Sequence, residues 1–450
     1  MKILVANRGE IAVRVIRACR QLGIPSVAVF SETDRESAHA GLADEAVCIG
    51  PAPARESYLN AGAILAAARV TGAKAVHPGY GFLSENADFA AECAKRGLTF
   101  IGPPAQAIRS LGYKSTAKEV ARKAGVPVVP GTSDGRGPAM IAQAEAIGFP
   151  VMIKASAGGG GKGMRLVESP KDLVAEMEKA SQEARAAFGD GAVYVEKFIE
   201  RPRHVEIQIV ADSKGGVAAL PERDCTVQRR HQKLIEESPS PAVTPEIRAR
   251  MQEAAVRLAK AGGYVNAGTV EFLLDKKGDF YFIEVNTRLQ VEHPVTETVT
   301  GLDLVTEQIR IALGERLSFD PAAAARPSGH AVEFRINAED PANGFAPCPG
   351  LIESLRLPGG PGIRVDTHIR AGYTVPSNYD SLLAKLIAGG RDRGAALARG
   401  REALREFAVE GIATTIPFHL RVLDHPSFLS GDIDTGFTDR LIEENAERSP

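Results

Sequence analysis

"GTVEFLLDKKGDFYFIEVNTRLQVEHPVTE", Gly268 to Glu297, is the stretch on which the fold turns. Two strand-like runs flank "KKGD", a four-residue loop containing glycine, and that arrangement predicts a β-hairpin. Closing the hairpin with Asp275 opposite Phe280 puts Glu271 directly opposite Glu284. Facing Cβ atoms lie ~4.5–5.5 Å apart in such a pair, and like charges there repel. A divalent cation between the carboxylates removes the repulsion, and Mg²⁺ takes one or two carboxylates together with substrate phosphates. The alternative is two solvated glutamates on an edge strand, because a register slips easily by one residue.

Along the second strand Glu284, Asn286, Arg288, Gln290 and Glu292 occupy every second position and share a face. Ile283, Val285, Leu289 and Val291 point the other way. Ordinary surface uses Lys and Asp freely, whereas amides around a single Arg suit a polar pocket. A straight strand from 284 to 292 would run roughly 26 Å at about 3.3 Å per residue, too long for one small site. A bend is expected near Thr287 to Leu289, curling the later residues around a second substrate.

Upstream lies "KASAGGGGKGMR", Lys154 to Arg165. A Walker A loop needs Ser or Thr after Gly-Lys to hold Mg²⁺, and here Gly163 follows Lys162. The dinucleotide pattern G-x-G-x-x-G is satisfied trivially by a glycine tract, and a flexible spacer is the plain alternative. The flanks "FPVMIKAS" and "GMRLVES" read as strands, so the unit is a hairpin flap. Its glycine N–H groups can approach phosphate, and Lys154 at the strand end can reach the same phosphates. A helix over "AMIAQAEAIG", another near 170 to 187, and strands "AVYVEKFI" and "HVEIQIVAD" complete a small α+β unit. The segment 206 to 312 continues with strands and two helices and ends in "DPAAAARPSG". Residues 330 to 450 open with "HAVEFRINAED" and carry a helix near 393 to 409.

Residues 1 to about 113 alternate short apolar strands with helices. "KILVAN" precedes "EIAVRVIRACRQLG", where Ile11, Val15, Ala18 and Leu22 recur at helical spacing. The alternation predicts a parallel α/β sheet. Its first strand–helix turn, "NRGEIA", lacks the glycine fingerprint, so the shape is Rossmann-like without a dinucleotide site. "GVPVVPGTSDGRGP" marks the entry to the next unit.

The length of 450 residues implies several domains. A net charge of −2 gives no global basic field, which argues against nucleic acid and anionic membranes as partners. The basic cluster "QRRHQK", Gln228 to Lys233, is too short to be a tail. No apolar run reaches membrane-spanning length and no leader pattern is present, so a cytoplasmic protein is expected. Five scattered cysteines without a C-x-x-C pair read as reduced thiols, and nine histidines without an H-x-x-x-H pair offer no zinc site.

"HPGYGFLSENADFA", "YVEKFIERPRHVEIQ" and "FIEVNTRLQVEHPVTE", with the glycine flap, resemble the biotin carboxylases of the ATP-grasp superfamily. The resemblance runs over nearly the whole chain, to about residue 437. Carbamoyl phosphate synthetases share the flap and "FIEVN", but are not expected to share "HPGYGFLSEN", "RDCTVQRRHQK" or "GHAVEFRINAEDP". The implied fold is α/β and α+β. A Rossmann-like domain (1–113) precedes an ATP-grasp domain (114–312) with a glycine-rich lid at about 130–204. A C-terminal α+β biotin-carboxylase domain (330–437) follows.

The resemblance also implies roles. Lys114, Lys154, Gly160 and Gly161 hold ATP phosphates, and the hinge Glu196, Lys197, Phe198 and Ile199 reads adenine. His204, Gln228 and His231 add nucleotide contacts, and Glu271, Glu284 and Asn286 hold Mg²⁺ or Mn²⁺. Lys233, Arg288, Gln290 and the Val291 backbone grip bicarbonate, Glu292 is the general base, and Arg335 meets biotin. The implied reaction carboxylates biotin on a separate biotin carboxyl carrier protein, via carboxyphosphate. That is the first half-reaction of acetyl-CoA carboxylase, with a pyruvate or propionyl-CoA carboxylase as alternative. Carboxyltransferase subunits are the further partners, and a homodimer is the implied assembly.

Taken singly, Lys114 would be a solvated lysine, His204 and His231 partly buried histidines, and Arg335 an ion-pair partner of Glu333 or Glu339. Three positions depart from the family pattern: Tyr113 stands where Asp is usual, Lys162 where Arg is common, and Thr415 where Asn is expected. No two of the six methionines lie two residues apart, so the Met-Lys-Met turn that carries biotin does not occur.

Overall fold

The computed structural model describes residues 1–132, 138–155, 164–188 and 191–448. Gly160, Gly161 and Lys162 of the flap fall outside the described residues. The N-terminal unit is a five-stranded parallel sheet in the spatial order Glu45–Cys48, Ser26–Phe30, Ile3–Val5, Ala75–His77 and Thr99–Phe100. The inner strands are continuous apolar runs because helices cover both faces of the sheet. Helix Gly9–Gln21 buries Ile11, Val15, Ile16 and Ala18 at the spacing read from the sequence.

The unit around the glycine run has a three-stranded sheet in the order Arg165–Val167, Val151–Ala155 and Val193–Lys197. The two strands flanking the glycine run pair antiparallel, Val151 with Val167 and Ile153 with Arg165, as a flap requires. Helices Pro138–Ile147 and Pro170–Phe188 close its core over Met140, Ile153, Leu173 and Val195.

The main sheet has eight strands in the order Phe280–Asn286, Asn266–Leu274, Arg203–Ala211, Val217–Arg229, Gln232–Ser238, His330–Asn337, Leu382–Gly390 and Ile363–Thr367. It runs without a break across the 312–330 segment that divides the chain in sequence. Gln232–Ser238 pairs with His330–Asn337, setting Ile235 against Phe334 and Glu236 against Glu333. Helix Pro245–Ala261 packs on one end of the sheet through Met251, Ala255 and Leu258. Helices Arg393–Glu406 and Ile416–Asp424 pack on the other, around Phe334, Leu386 and Phe418.

The segment 206–312 holds three helices, not two: Pro245–Ala261, His293–Thr300 and Leu304–Ala312. One of the three, "HPVTETVT", is rich in β-branched residues and reads locally as strand. Pro294 in its first turn is the signal that favours the helix, since proline's fixed φ suits that position.

Candidate active site

The hairpin within Gly268 to Glu297 forms, but it closes one residue short of the expected pairing. Leu274, not Asp275, faces Phe280, and Asp275 lies within the turn, its N–H donating to the Asp279 carbonyl at 2.9 Å. That pairing, continued, would set Glu271 against Ile283. A β-bulge between Glu271 and Phe272 adds the missing residue and brings Glu271 opposite Glu284. The facing carboxylates are therefore real, and the bulge makes them so.

After Asn286 the chain leaves the sheet, as the length argument required. Its cause is Glu85, from "GFLSEN" in the N-terminal unit. The Thr287 N–H donates to Glu85 Oε1 at 2.9 Å, and Arg288 Nε donates to Glu85 Oε2 at 2.8 Å. The turn then places Glu292 at the start of helix His293–Thr300.

Glu292 has no solvent exposure. Lys233 Nζ donates to its Oε1 at 2.6 Å and Arg335 Nη2 to its Oε2 at 2.9 Å. Burial alone would raise its pKa, but Lys233, Arg335 and Arg223 hold the carboxyl well below the usual range. It is ionised at neutral pH, the state a general base needs. Lys233 spends its other donors on Glu206 Oε2 at 2.6 Å and Glu271 Oε1 at 2.9 Å. Cys225 Sγ lies 3.8 Å from Glu292 Oε1; burial and the surrounding carboxylates push this thiol up, so it stays protonated.

Arg335 pairs with Glu236 and Glu292, not with Glu333 or Glu339; its Nε donates to Glu236 Oε1 at 2.6 Å. The reason is topological. Strand pairing sets the Arg335 strand beside the one carrying Lys233 and Glu236. Burial pushes Glu236 up to about 7 against the pull of Arg335. Thr415, one of the departures, donates its hydroxyl to the Arg335 carbonyl at 2.8 Å and accepts the Asn337 N–H at 3.0 Å, bracing that strand. Tyr113 is largely exposed, and nothing in the structure explains the substitution.

Glu271 collects Lys233, the Asn286 amide at 2.9 Å, the Gln290 amide at 3.2 Å, and His204, whose Nε2 lies 3.0 Å from Oε2. Burial would lower His204's pKa, but Glu271 outweighs it and the pKa is raised. Glu284 is partly exposed and meets Lys114 Nζ at 3.1 Å. Two carboxylates and an amide make an oxygen-only donor set, which fits Mg²⁺ or Mn²⁺. Two tighter clusters among the described residues, His204–Glu206–Glu271 and Glu206–Cys225–Glu292, surround the Lys233 ammonium, which already supplies their cation.

On the nucleotide side, Glu196 is buried between Lys118 and Lys154, the latter at 2.8 Å from Oε2. Burial opposes ionisation, but the two lysines hold the carboxyl below its ordinary value. Lys197 Nζ donates to the Gly148 and Phe149 carbonyls at 3.0 and 3.1 Å, and the Phe198 N–H to the Pro150 carbonyl at 3.1 Å. Ile199 is buried beside them. Gln228 is buried, with its amide 3.5 Å from the Cys225 carbonyl. His231 is exposed at a hairpin tip with φ +66°, apart from the buried cluster.

Six residues at the site were not singled out from the sequence: Glu85, Lys118, Glu206, Arg223, Glu236 and Lys385. Glu206 carried a signal, a carboxylate inside the apolar run "VEIQIV". Arg223 is fully buried and donates to Glu206, Gln208, Thr296 and Thr269, the first at 2.5 Å.

A hairpin flanking a glycine run, a buried glutamate between two lysines, and a sheet whose adjacent strands carry Lys233 and Arg335, both paired to the buried Glu292, define a ligase of the ATP-grasp class. The N-terminal domain of biotin carboxylase matches residues 1–108, the ATP-binding domain of the carbamoyl-phosphate synthase L chain matches 113–319, and the biotin carboxylase C-terminal domain matches 333–440. The chain belongs to the biotin carboxylase family, enzymes that use ATP to carboxylate biotin. It is 55% identical to the biotin carboxylase of Nostoc sp., over 98% of this chain and 99% of that one. It is 54% identical to a pyruvate carboxylase subunit of Methanothermobacter thermautotrophicus, over 97% of this chain and 89% of that one. Among solved structures, the biotin carboxylase domain dimer of Hydrogenobacter thermophilus 2-oxoglutarate carboxylase, in complex with MgADP, ADP and bicarbonate, superposes with a TM-score of 0.89 at 47% identity, covering 98% of each chain. Among the described residues no helix is long and apolar enough to cross a membrane.

Proposed function

We propose that this chain carboxylates biotin on a separate carrier protein, with bicarbonate as carbon source, as the first half-reaction of acetyl-CoA carboxylase. The observation that carries the reading is the buried Lys233–Glu292–Arg335 cluster, which joins the nucleotide side of the sheet to the strand offered to biotin. Resemblance to a pyruvate carboxylase subunit supports a second acceptor, pyruvate. Neighbouring structures with MgADP and bicarbonate, and as a dimer, support the same ligands and a homodimer here. The proposed units are 1–113, 114–312 and 330–437.

In this reading Lys114 and Lys154 receive the ATP phosphates, Lys154 turning from Glu196 as adenine arrives at the hinge. Glu271, Glu284 and Asn286 would hold Mg²⁺, which supplies charge neutralisation at the transferred phosphoryl group. Arg288, Lys233 and Gln290 orient bicarbonate, the guanidinium by a planar two-point contact. Glu292 takes the bicarbonate proton as its oxygen attacks the γ-phosphorus and the bond to the β-phosphate oxygen breaks. Carboxyphosphate then gives CO₂ and phosphate. The phosphate takes the proton from the biotin ureido nitrogen, Arg335 stabilises the enolate oxygen, and the nitrogen attacks CO₂.

The test is ATP cleavage by the purified chain with bicarbonate and free biotin each omitted in turn. Cleavage independent of both refutes the reading. Adding purified carrier and carboxyltransferase with acetyl-CoA, propionyl-CoA or pyruvate separately identifies the acceptor. A streptavidin blot after expression with biotin ligase checks the carrier; biotin on this chain refutes a separate one.

A further inference from the structure

Lys385 is a fully buried lysine in the middle of the C-terminal part of the sheet, far in sequence from every residue assigned a role above. Its strand neighbours are Arg335 on one side and Asp366 on the other, so it stands directly beside the arginine offered to biotin. Its Nζ donates to the Val291 carbonyl at 2.9 Å and lies 3.1 Å from Glu10 Oε1 and 3.9 Å from Asp366 Oδ2. Glu10 also receives the Tyr80 hydroxyl. One ammonium thus touches the first helix of the N-terminal unit, the C-terminal sheet, and the backbone between Gln290 and Glu292.

The preceding carbonyl is held in the same manner. His293 is buried, and burial with the nearby cations Lys385, Arg14 and Arg364 keeps it neutral; its Nδ1 donates to the Gln290 carbonyl at 2.8 Å. Two consecutive carbonyls of the loop are therefore held on its far side by buried donors. With both anchored, the peptide planes of 290–292 have little freedom, and the Glu292 carboxylate leaves them in a fixed direction.

Resting on the bicarbonate reading above, we propose that Lys385 is a positioning residue: its bond to the Val291 carbonyl sets the loop that presents the Val291 backbone and the Glu292 carboxylate to bicarbonate. A group that touches no substrate acts here through geometry, and misplacement of a reacting group by about 1 Å costs ~10²-fold in rate.

The test uses the full chain with Lys385→Met, Lys385→Gln and Glu10→Gln in biotin-dependent ATP cleavage. Bicarbonate is varied at saturating MgATP, and MgATP at saturating bicarbonate. Both Lys385 variants should raise the bicarbonate KM by ~10-fold and lower kcat by ~10²-fold, while the MgATP KM moves less than about 2-fold. A general loss of folding would lower the active fraction and leave both KM values alone. Equal change in both KM values, or an unchanged bicarbonate KM, overturns the assignment. If the Lys385 variants are insoluble, Glu10→Gln decides. It keeps the lysine but weakens its second anchor, and should raise the bicarbonate KM alone by about 2- to 5-fold; no selective change overturns the proposal. A wild-type chain without bicarbonate-dependent cleavage refutes the underlying function instead.

Discussion

A carboxylate without solvent contact is costly unless cations surround it, and Glu292 has an ammonium on one oxygen and a guanidinium on the other. Replacing it by Gln keeps the shape and removes the base. Bicarbonate-dependent ATP cleavage should fall ~10²–10⁴-fold while nucleotide binding, measured by calorimetry, is retained. The sign of the pH dependence follows from the same contacts. Glu292's folded pKa lies below its unfolded value, so its ionised form, and the stability it contributes, persist above the ordinary carboxylate range and are lost only as pH falls through the depressed folded value. Lys233→Met removes the largest attraction and leaves burial, which raises the pKa. The acid limb of the residual kcat/KM for bicarbonate should therefore move to higher pH; an unmoved limb would falsify the electrostatic coupling. Lys233, Arg288 and Glu292 were singled out through the resemblance of "RDCTVQRRHQK" and "FIEVNTRLQVEHPVTE" to biotin carboxylases, and the structure brings Lys233 and Glu292 into contact. Glu206 and Glu236 were not, because one glutamate in a strand says nothing of which strand will lie beside it.

At the level of the element, the hairpin shows what residue spacing conveys and what it omits. The facing of Glu271 and Glu284 was correctly inferred, yet the turn pairs differently and a bulge makes up the difference. Neither "KKGD" nor "VEFLL" announces a bulge, since its extra residue, Ile283, lies outside both, on the edge strand of the sheet. Glu284 is the more exposed of the two carboxylates and is held by Lys114. Glu284→Gln removes an anionic oxygen from the proposed cation site. The Mg²⁺ concentration at half-maximal activity should rise ~10-fold, read from a titration at fixed ATP. Residue spacing does not announce the helix His293–Thr300 either: its β-branched composition favours strand, and Glu85 turns the chain at Thr287 just before it.

Across the whole molecule, the alternation of the first hundred residues and the flap hairpin were readable because each is specified by local periodicity. The union of the ATP-grasp and C-terminal segments in one sheet was not, because strand order across a long connection leaves no trace in local pattern. The N-terminal unit meets the turn before the Leu382–Gly390 strand through Arg8, which donates to Asp34 at 2.6 and 2.7 Å and lies 4.2 Å from the Tyr379 ring centroid. Asp34 also accepts the Tyr58 hydroxyl at 2.6 Å. Asp34→Asn leaves the buried guanidinium without its counter-charge and should destabilise the chain by about 3–5 kcal/mol, seen as a lower denaturant midpoint. A change within experimental error would show that Tyr373 and Tyr379 hold Arg8 without Asp34.

The shared sheet has a consequence for any attempt to take the protein apart. Cutting the chain between Ala324 and His330 severs no ladder bond, yet pulling the pieces apart exposes Gln232–Ser238 on one and His330–Asn337 on the other. Each is a long edge with unpaired amides, the kind that recruits foreign strands. The two fragments should aggregate when made singly and reconstitute carboxylase activity when made together, so that the cut enzyme behaves as a complementing pair in which Arg335 reaches Glu292 only after the edges have found each other.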